Sequence, residues 1–197
     1  MARGPAYQVA FRRRREAKTD YRRRKELIAS GLTRFVFRCS LSNSLAQFVE
    51  AAMNGDRVLV SAASQELVRD YGWKAPCGNM PAAYLTGFLA GLKAKRKGIE
   101  KAVLDAGVKK PVKGSKIYAG LKGLLDAGVE VSCDSDVLPS EERITGEHVA
   151  EHWRSLTDPE QRSRFFSQYL AKGLTPEDLA KHFQDVKENI RKAFSQG

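Results

Sequence analysis

The densest group of chemically active side chains is a basic run from Arg12 to Lys25, with seven arginines and two lysines in 14 residues. The guanidinium group is planar and permanently charged, and its paired N–H donors match two oxygens of a phosphate group. Tyr21 lies between the two basic clusters and could stack on an unpaired base. Residue types of this kind, at this density, favour binding to a nucleic-acid backbone.

This run also accounts for most of the excess positive charge of the chain. Residues 1–25 contain ten Lys or Arg and two acidic residues, whereas residues 26–197 contain 24 basic and 21 acidic residues. The net charge of +11 indicates a polyanionic partner but says nothing about the fold. A solvated charge run and a localisation signal are the alternatives. Glu16 and Asp20 interrupt the run, and a mitochondrial presequence avoids acidic residues, so we expect a cytosolic protein.

A second motif, His148-Val149-Ala150-Glu151-His152, matches the H-x-x-E-H signature of some metalloproteases. In that chemistry both histidines bind zinc from one helix face and the glutamate acts as a base. The motif leaves two positions free, and no third ligand is evident in the sequence. A polar helix that carries two histidines is the simpler interpretation. We therefore predict no catalytic residue, no metal and no cofactor, although zinc binding at His148 and His152 stays open.

Three other groups of residues give weaker signals. The segment Lys113–Tyr118 lacks the full pattern of a nucleotide-binding loop, so we interpret it as a surface loop that could touch RNA. Trp73 could stack on a base, or it could anchor the core or a loop. Cys39, Cys77 and Cys133 are far apart and odd in number. They indicate buried thiols in a reducing compartment rather than disulfides or a zinc site.

The basic run is predicted to form part of a tail and one helix. Residues 1–11 show no sustained period and predict an extended tail. From about Thr19 the pattern is helical and ends at Ser30, with Gly31 as the cap. The consecutive arginines Arg22–Arg24 fan around roughly 200° of the helix surface. We therefore expect this helix to enter a polyanionic groove rather than lie flat on the domain, with its C-terminal end anchored.

Three strands are predicted to follow the arm. Their patterns cover residues 34–39, 45–52 and 57–63. The sequence Asn54-Gly55-Asp56 is a strong hairpin turn. Three strands joined by short turns predict an antiparallel meander, and its outer face should carry Arg34, Arg38 and Gln47 outward.

The remaining chain alternates helices and strands. Helices are predicted at residues 65–71, 81–97 and 117–127, and strands at residues 102–108 and 129–133. Ser64 is expected to cap the first of these helices, and Gly87 and Gly91 should let another element pack closely. Two further helices are predicted, one from Thr157 to Gly173 and one from Thr175 onward.

These elements predict an α/β fold. A mixed β-sheet, made of the antiparallel meander plus a strand–helix–strand unit, should carry packed helices. We divide the chain into a basic N-terminal arm and helix at residues 1–31, an α/β domain at residues 32–139 and an α-helical C-terminal extension at residues 140–197.

Several segments, in order, resemble one known family. They are FRRRREAKTDYRRRK, TRFVFR, NGD, GNMPAAYLTGFLAGL, VLDAG, GSKIYAGLKGLLDAG and DVLPSEER. Together they resemble the archaeal–eukaryotic branch of the large-subunit ribosomal protein family that binds 5S rRNA, called L-eighteen in bacteria and L-five in eukaryotes. The resemblance runs from about Tyr7 to Trp153, and the C-terminal helices resemble the extension of the archaeal branch.

This resemblance implies a structural protein of the cytoplasmic large ribosomal subunit, without catalysis or cofactor. The implied partners are 5S rRNA, the 23S-type large-subunit rRNA and neighbouring large-subunit proteins, with no membrane and no small-molecule substrate. The protein would bridge the two RNAs in the central protuberance, and residues 32–139 would be an rRNA-binding domain. The implied RNA contacts are Arg3, Tyr7, Arg12, Arg13, Arg14, Arg15, Lys18, Thr19, Tyr21, Arg22, Arg23, Arg24, Lys25, Arg34, Arg38, Ser42 and Asn43.

Overall fold

The computed structural model describes residues 4–195 and is built around a five-stranded sheet. The strands are β1 (Thr33–Cys39), β2 (Ser44–Ala52), β3 (Gly55–Ala63), β4 (Lys101–Asp105) and β5 (Glu130–Val131). Their order across the sheet is β3-β2-β1-β4-β5. The pairs β1–β2 and β2–β3 are antiparallel, whereas β1–β4 and β4–β5 are parallel. The predicted α/β fold, its mixed sheet and its meander are therefore confirmed.

The last two strands are shorter than the sequence predicts. β4 ends at Asp105, whose carboxylate accepts a hydrogen bond from the Gly107 N–H at 2.8 Å. Gly107 has φ of +66°, a left-handed conformation that glycine adopts without strain, and the chain turns out of the sheet there. β5 has two paired residues, because only Lys101 and Ala102 of β4 face it.

The two helices α4 (Met80–Arg96) and α5 (Lys116–Asp126) cover one face of this sheet. The helices are α1 (Arg12–Arg15), α2 (Tyr21–Ala29), α3 (Ser64–Tyr71), α4 (Met80–Arg96), α5 (Lys116–Asp126), α6 (Glu141–Thr145), α7 (Glu147–Ser155), α8 (Pro159–Phe165), α9 (Ser167–Leu170) and α10 (Leu179–Ser195). α4 packs on β2 and β3, and α5 packs on β1. Phe35 and Phe37 of β1 are buried on this inner face. Because side chains alternate along a strand, Arg34, Val36 and Arg38 belong to the opposite, outer face.

Glycines allow α4 and α5 to approach each other at backbone distance. A Cβ atom added to Gly87 would lie 1.9 Å from the Gly120 carbonyl oxygen, and one added to Gly123 would lie 2.1 Å from the Tyr84 carbonyl oxygen. A Cβ atom at Gly91 would lie 2.5 Å from the Cβ of Ala127. The predicted close packing at Gly87 and Gly91 is therefore confirmed, and its partner is α5.

The start of α3 differs from the expected cap. Ser64 lies inside the helix, and its hydroxyl accepts a hydrogen bond from the Ser44 N–H at 3.0 Å. The side-chain bond at this end of α3 comes instead from Glu66, whose carboxylate accepts from the Ala63 N–H, just before the helix, at 3.0 Å. The prediction that Ser64 caps α3 was wrong because its hydroxyl is used to hold the start of β2.

Two lysines of α4 reach the outer strand of the meander. β3 is at one edge of the sheet. The Lys93 ammonium group donates to the Ser61 carbonyl oxygen at 3.1 Å, and Lys97 donates to the Leu59 carbonyl oxygen at 2.5 Å. Both lysines therefore satisfy backbone acceptors of the edge strand.

The C-terminal helices pack against the α/β core. Leu179, Phe183, Val186 and Ile190 of α10 are buried in the same apolar cluster as α4. The predicted single helix from Thr157 to Gly173 is wrong, because the chain breaks into α8 and α9 at Phe166, whose ring packs on Trp153 with centroids 5.2 Å apart. The division at residue 140 stays a prediction. No helix within residues 4–195 is long and apolar enough to cross a bilayer.

Replacing Gly87 with alanine should destabilise the protein. Helix propensity alone predicts a gain of about 1 kcal/mol in the free energy of unfolding. The added methyl group would overlap the α5 backbone, so we expect a net loss of about 3 kcal/mol. Urea unfolding followed by circular dichroism measures the change. Gly98→Ala is the control, because Gly98 has φ of +73° and open space around its Cα, and it should cost about 1 kcal/mol. Equal stability of the two variants would contradict the close packing.

Candidate nucleic-acid interface

The basic run of the arm begins with a short helix that the sequence reasoning missed. α1 holds the first arginine cluster, and the chain turns after it at Ala17, which has φ of +51°. The N–H groups of Lys18 and Thr19 donate to the Arg13 carbonyl oxygen. The Arg13 Nε donates to the Thr19 hydroxyl at 2.8 Å. These bonds close a turn that brings the two basic clusters together.

Asp20 determines where the second helix of the arm begins. Its carboxylate accepts hydrogen bonds from the N–H groups of Arg22 at 3.0 Å and Arg23 at 3.2 Å, which is the geometry of an N-cap. The ring of Tyr21 lies 5.1 Å from the ring of Phe11, so an aromatic pair joins the tail to α2. The helix predicted between Thr19 and Ser30 is confirmed with slightly narrower bounds.

A chain of alternating charges connects α2 to the sheet. Arg24 of α2 lies 2.7 Å from the Asp56 carboxylate, which also lies 2.7 Å from Arg34 of β1. Arg34 contacts Asp105 of β4 at 3.1 Å, and Arg38 lies 3.5 Å from the same carboxylate. Arg34 is only 3% exposed. Arg34 therefore lies on the outer face of the sheet, as predicted, but α2 and two carboxylates cover it there.

The arm and the outer face of the sheet enclose a cleft of about 240 Å³. Six cationic side chains and three carboxylates line it: Arg13, Lys18, Arg23, Arg24, Arg34 and Arg38, with Asp20, Asp56 and Asp105. The prediction that α2 avoids its own domain was thus wrong on one side of the helix. No residue of α2 is buried, so its other sides are open.

The predicted RNA contacts differ in accessibility. Tyr7, Arg12, Arg13, Arg14, Arg15, Lys18, Arg22, Lys25 and Ser42 are exposed, whereas Thr19, Tyr21, Arg23, Arg24, Arg38 and Asn43 are partly buried. The amide oxygen of Asn43 accepts a hydrogen bond from the Ser64 hydroxyl at 3.5 Å. Arg3 lies outside the described residues. The arm therefore carries most of the accessible set.

The charges around Asp56 change its acidity. Burial raises the pKa of this carboxyl, but the hydrogen bonds and charges of Arg34 and Arg24 outweigh burial and lower the pKa below its ordinary value of 3.8. Asp56 is therefore ionised at neutral pH, as the bridge between the two arginines requires.

The other candidate sites have structural explanations. Trp73 is buried, and its ring stacks on His182 with centroids 5.1 Å apart, so it anchors the core. Burial, followed by the charge of Arg143, lowers the pKa of His148, while His152 packs against the ring of Phe166 at 5.9 Å. Within residues 4–195, no group of three or more His, Cys, Asp or Glu side chains is placed to hold a metal ion.

Comparison of this sequence with known proteins identifies its family. Residues 5–98 match the family described as ribosomal large subunit proteins 60S L5 and 50S L18. The large ribosomal subunit protein uL18 of Aeropyrum pernix is 49% identical over 196 residues, which cover 98% of this chain and 92% of that protein. The protein of the same name from Methanothermobacter thermautotrophicus is 49% identical over 190 residues, which cover 96% of this chain and 98% of that protein. The chain belongs to the L5/L18 family of large-subunit ribosomal proteins.

Membership in the L5/L18 family identifies the class of function. The protein is a structural component of the large ribosomal subunit in the cytoplasm, and it is not an enzyme. The resemblance found in the sequence is therefore confirmed. The segment matched to the L5/L18 family contains the whole arm from Pro5, the meander and α4, so it includes Arg24, Arg34 and Asp56.

Replacing Asp56 with asparagine should destabilise the protein and loosen α2. The substitution leaves the buried Arg34 with one carboxylate and removes the ion pair of Arg24, so we expect a loss of about 2 kcal/mol in the free energy of unfolding. Urea unfolding measures this loss, and amide hydrogen exchange should become faster in α2. Asp70→Asn is the control, since it removes an exposed pair with Arg69 and should leave stability unchanged. Equal losses of stability in Asp56→Asn and Asp70→Asn would show that Asp56 does not hold α2 on the sheet.

The free energy of unfolding of the wild type and that of Asp56→Asn should depend differently on pH. The folded-state pKa of Asp56 is lowered, so its contribution to stability is present above the unfolded pKa near 3.8 and is lost as pH falls through the folded-state pKa. The stability difference between the wild type and Asp56→Asn should therefore be full above the ordinary pKa of 3.8 and should shrink as pH falls below it. Urea titrations on both sides of this pH test it, and a difference that grows toward low pH would contradict the ion-pair assignment.

Proposed function

We propose that this protein binds 5S rRNA through the arm and the outer face of β1, and that it joins this RNA to the large-subunit rRNA. The observation that carries the proposal is the set of cations in the arm that lack acidic partners. Arg14, Arg15 and Lys25 are exposed, and none of them lies within 4.0 Å of a carboxylate among residues 4–195. Such charges repel one another until a polyanion neutralises them.

The anchored geometry favours a folded RNA over a flexible polyanion. Arg24 is tied to Asp56, so α2 is held against the sheet before any partner arrives. A helix that is already held in place loses little conformational entropy on binding. It therefore favours an RNA whose folded shape fits it. The exposed aromatic rings of Tyr7 and Phe11, 53% and 71% exposed, offer stacking surfaces for unpaired bases.

Cations on two sides of α2 suit a position between RNA strands. Arg23 and Arg24 line the cleft, whereas Arg22 and Lys25 are exposed. One side of the helix can therefore contact 5S rRNA near the sheet while the other reaches a second strand. The large-subunit rRNA and neighbouring large-subunit proteins are the further partners that we propose. Arg34 is left out of this interface because it is buried under α2.

The proposal makes a quantitative prediction about salt. If about eight cations each neutralise one phosphate, log K should fall with log salt with a slope of roughly −6 to −7. The triple variant Arg14→Gln, Arg15→Gln, Lys25→Gln should bind in-vitro-transcribed 5S rRNA at least about tenfold more weakly, with a slope shallower by about 2. Filter binding at several salt concentrations measures both quantities.

A matched control removes the same charge elsewhere. Lys172, Lys181 and Lys192 are exposed on the C-terminal helices, and their triple substitution by glutamine should leave affinity within about twofold. Equal weakening by both triple variants would show that net charge alone drives binding. Duplex DNA as competitor provides the second test, because a protein that coats any nucleic acid would bind it as well as 5S rRNA.

A further inference from the structure

A second crevice lies at the carboxyl ends of β1 and β4, beside the start of α5. Its volume is about 660 Å³, and its walls come from the turn after β1, the loop after β4 and the first turn of α5. The lining residues are Cys39, Ser40, Leu41, Ser42, Lys109, Ser115, Lys116 and Ile117. Ligands of α/β proteins commonly bind at this end of parallel strands.

Two lysines of this crevice bond consecutive backbone carbonyl groups, and Lys116 also donates to the Gly78 carbonyl oxygen at 3.0 Å. Lys109 donates to the Cys39 carbonyl oxygen at 2.9 Å, and Lys116 donates to the next carbonyl oxygen, that of Ser40, at 3.0 Å. Neither ammonium group lies within 4.0 Å of a carboxylate in the described part of the chain. Two like charges held on adjacent carbonyl groups raise the local potential, and an anion placed between them would lower it.

The start of α5 adds hydrogen-bond donors to this positive site. The Ser115 hydroxyl is buried and has no hydrogen-bond partner in residues 4–195, and it does not cap the helix. A buried hydroxyl without a partner costs free energy that a ligand oxygen could recover. The N–H groups of the first turn of an 11-residue helix favour an anion at the same place.

The crevice also has an apolar wall, and it continues the cleft of the arm. Leu41 is 95% exposed at its rim, and Ile117 lies in its wall. Arg38 lines the arm cleft and the next residue, Cys39, lines the crevice from the opposite face, so the two sites meet at the carboxyl end of β1. Positive charge next to an apolar surface matches a nucleotide, which has a phosphate and a base.

We propose that this crevice is a second RNA contact, in which Lys109, Lys116 and Ser115 hold a backbone phosphate of an unpaired strand and Leu41 packs against its base. The inference rests on the proposed RNA binding and adds residues that the arm does not contain. An RNA strand is favoured over an acidic protein segment because the crevice adjoins the cationic cleft of the arm.

The test compares two neighbouring lysines in the full-length protein. Lys109 and Lys110 are both exposed, but only Lys109 lines the crevice. Lys109→Gln should weaken binding of 5S rRNA by about tenfold and make the salt slope shallower by about 1, whereas Lys110→Gln should change affinity by less than about twofold. Leu41→Ser, at an exposed position, should weaken binding by about threefold with an unchanged salt slope. Hydroxyl-radical footprinting should show that Lys109→Gln loses protection in one segment of the RNA.

The outcomes separate this inference from the proposed function. Equal binding by Lys109→Gln and Lys110→Gln, together with weakening by the arm triple variant, overturns the crevice and leaves the arm interface intact; an acidic protein segment would then be the better occupant. Wild-type protein that binds duplex DNA as well as 5S rRNA overturns the proposed function itself. Lys109→Arg keeps the charge, so it should bind within about twofold of the wild type.

Discussion

One carboxylate, that of Asp56, links the arm to the fold. It lies 2.7 Å from Arg24 of the arm and 2.7 Å from Arg34 of the sheet, so three charges share one site. Without it, α2 would keep few ties to the domain, because no residue of α2 is buried. The arm would then present its arginines in no fixed direction. The orientation of the whole basic surface thus depends on one acidic residue at the start of β3, next to a hairpin turn.

The overall fold was largely predictable because it depends on local patterns. Phe35 and Phe37 alternate with Arg34, Val36 and Arg38, the signal at Asn54-Gly55-Asp56 marks a hairpin, and Gly87 and Gly91 mark a close contact. Each signal lies within a few residues of sequence. The short helix α1 was missed, and Asp20 was interpreted only as a break in the charge run. Its spacing before Arg22 and Arg23 is that of an N-cap, so the sequence did contain this signal.

The candidate site was predictable only in part because its key contacts are distant in sequence. Strand alternation correctly assigned Arg34 to the outer face of the sheet, but that face is covered by α2. The ion pair between Arg34 and Asp105 joins residues 71 positions apart, and the contact of Lys109 with Cys39 joins residues 70 positions apart. Both follow from the parallel pairing of β1 with β4, which no local pattern specifies.

Lys93 and Lys97 of α4 bond the carbonyl groups of β3. This contact should limit aggregation of the protein before it joins the ribosomal subunit. A free sheet edge is a template on which a second chain can add a strand, and this route leads to aggregates. Lys93 and Lys97 already occupy the acceptors of Ser61 and Leu59. The charge of Lys97 repels another copy, whereas that of Lys93 is paired with Glu66. Newly made chains can therefore stay monomeric until they bind RNA, even though the charges of their arms are not yet neutralised.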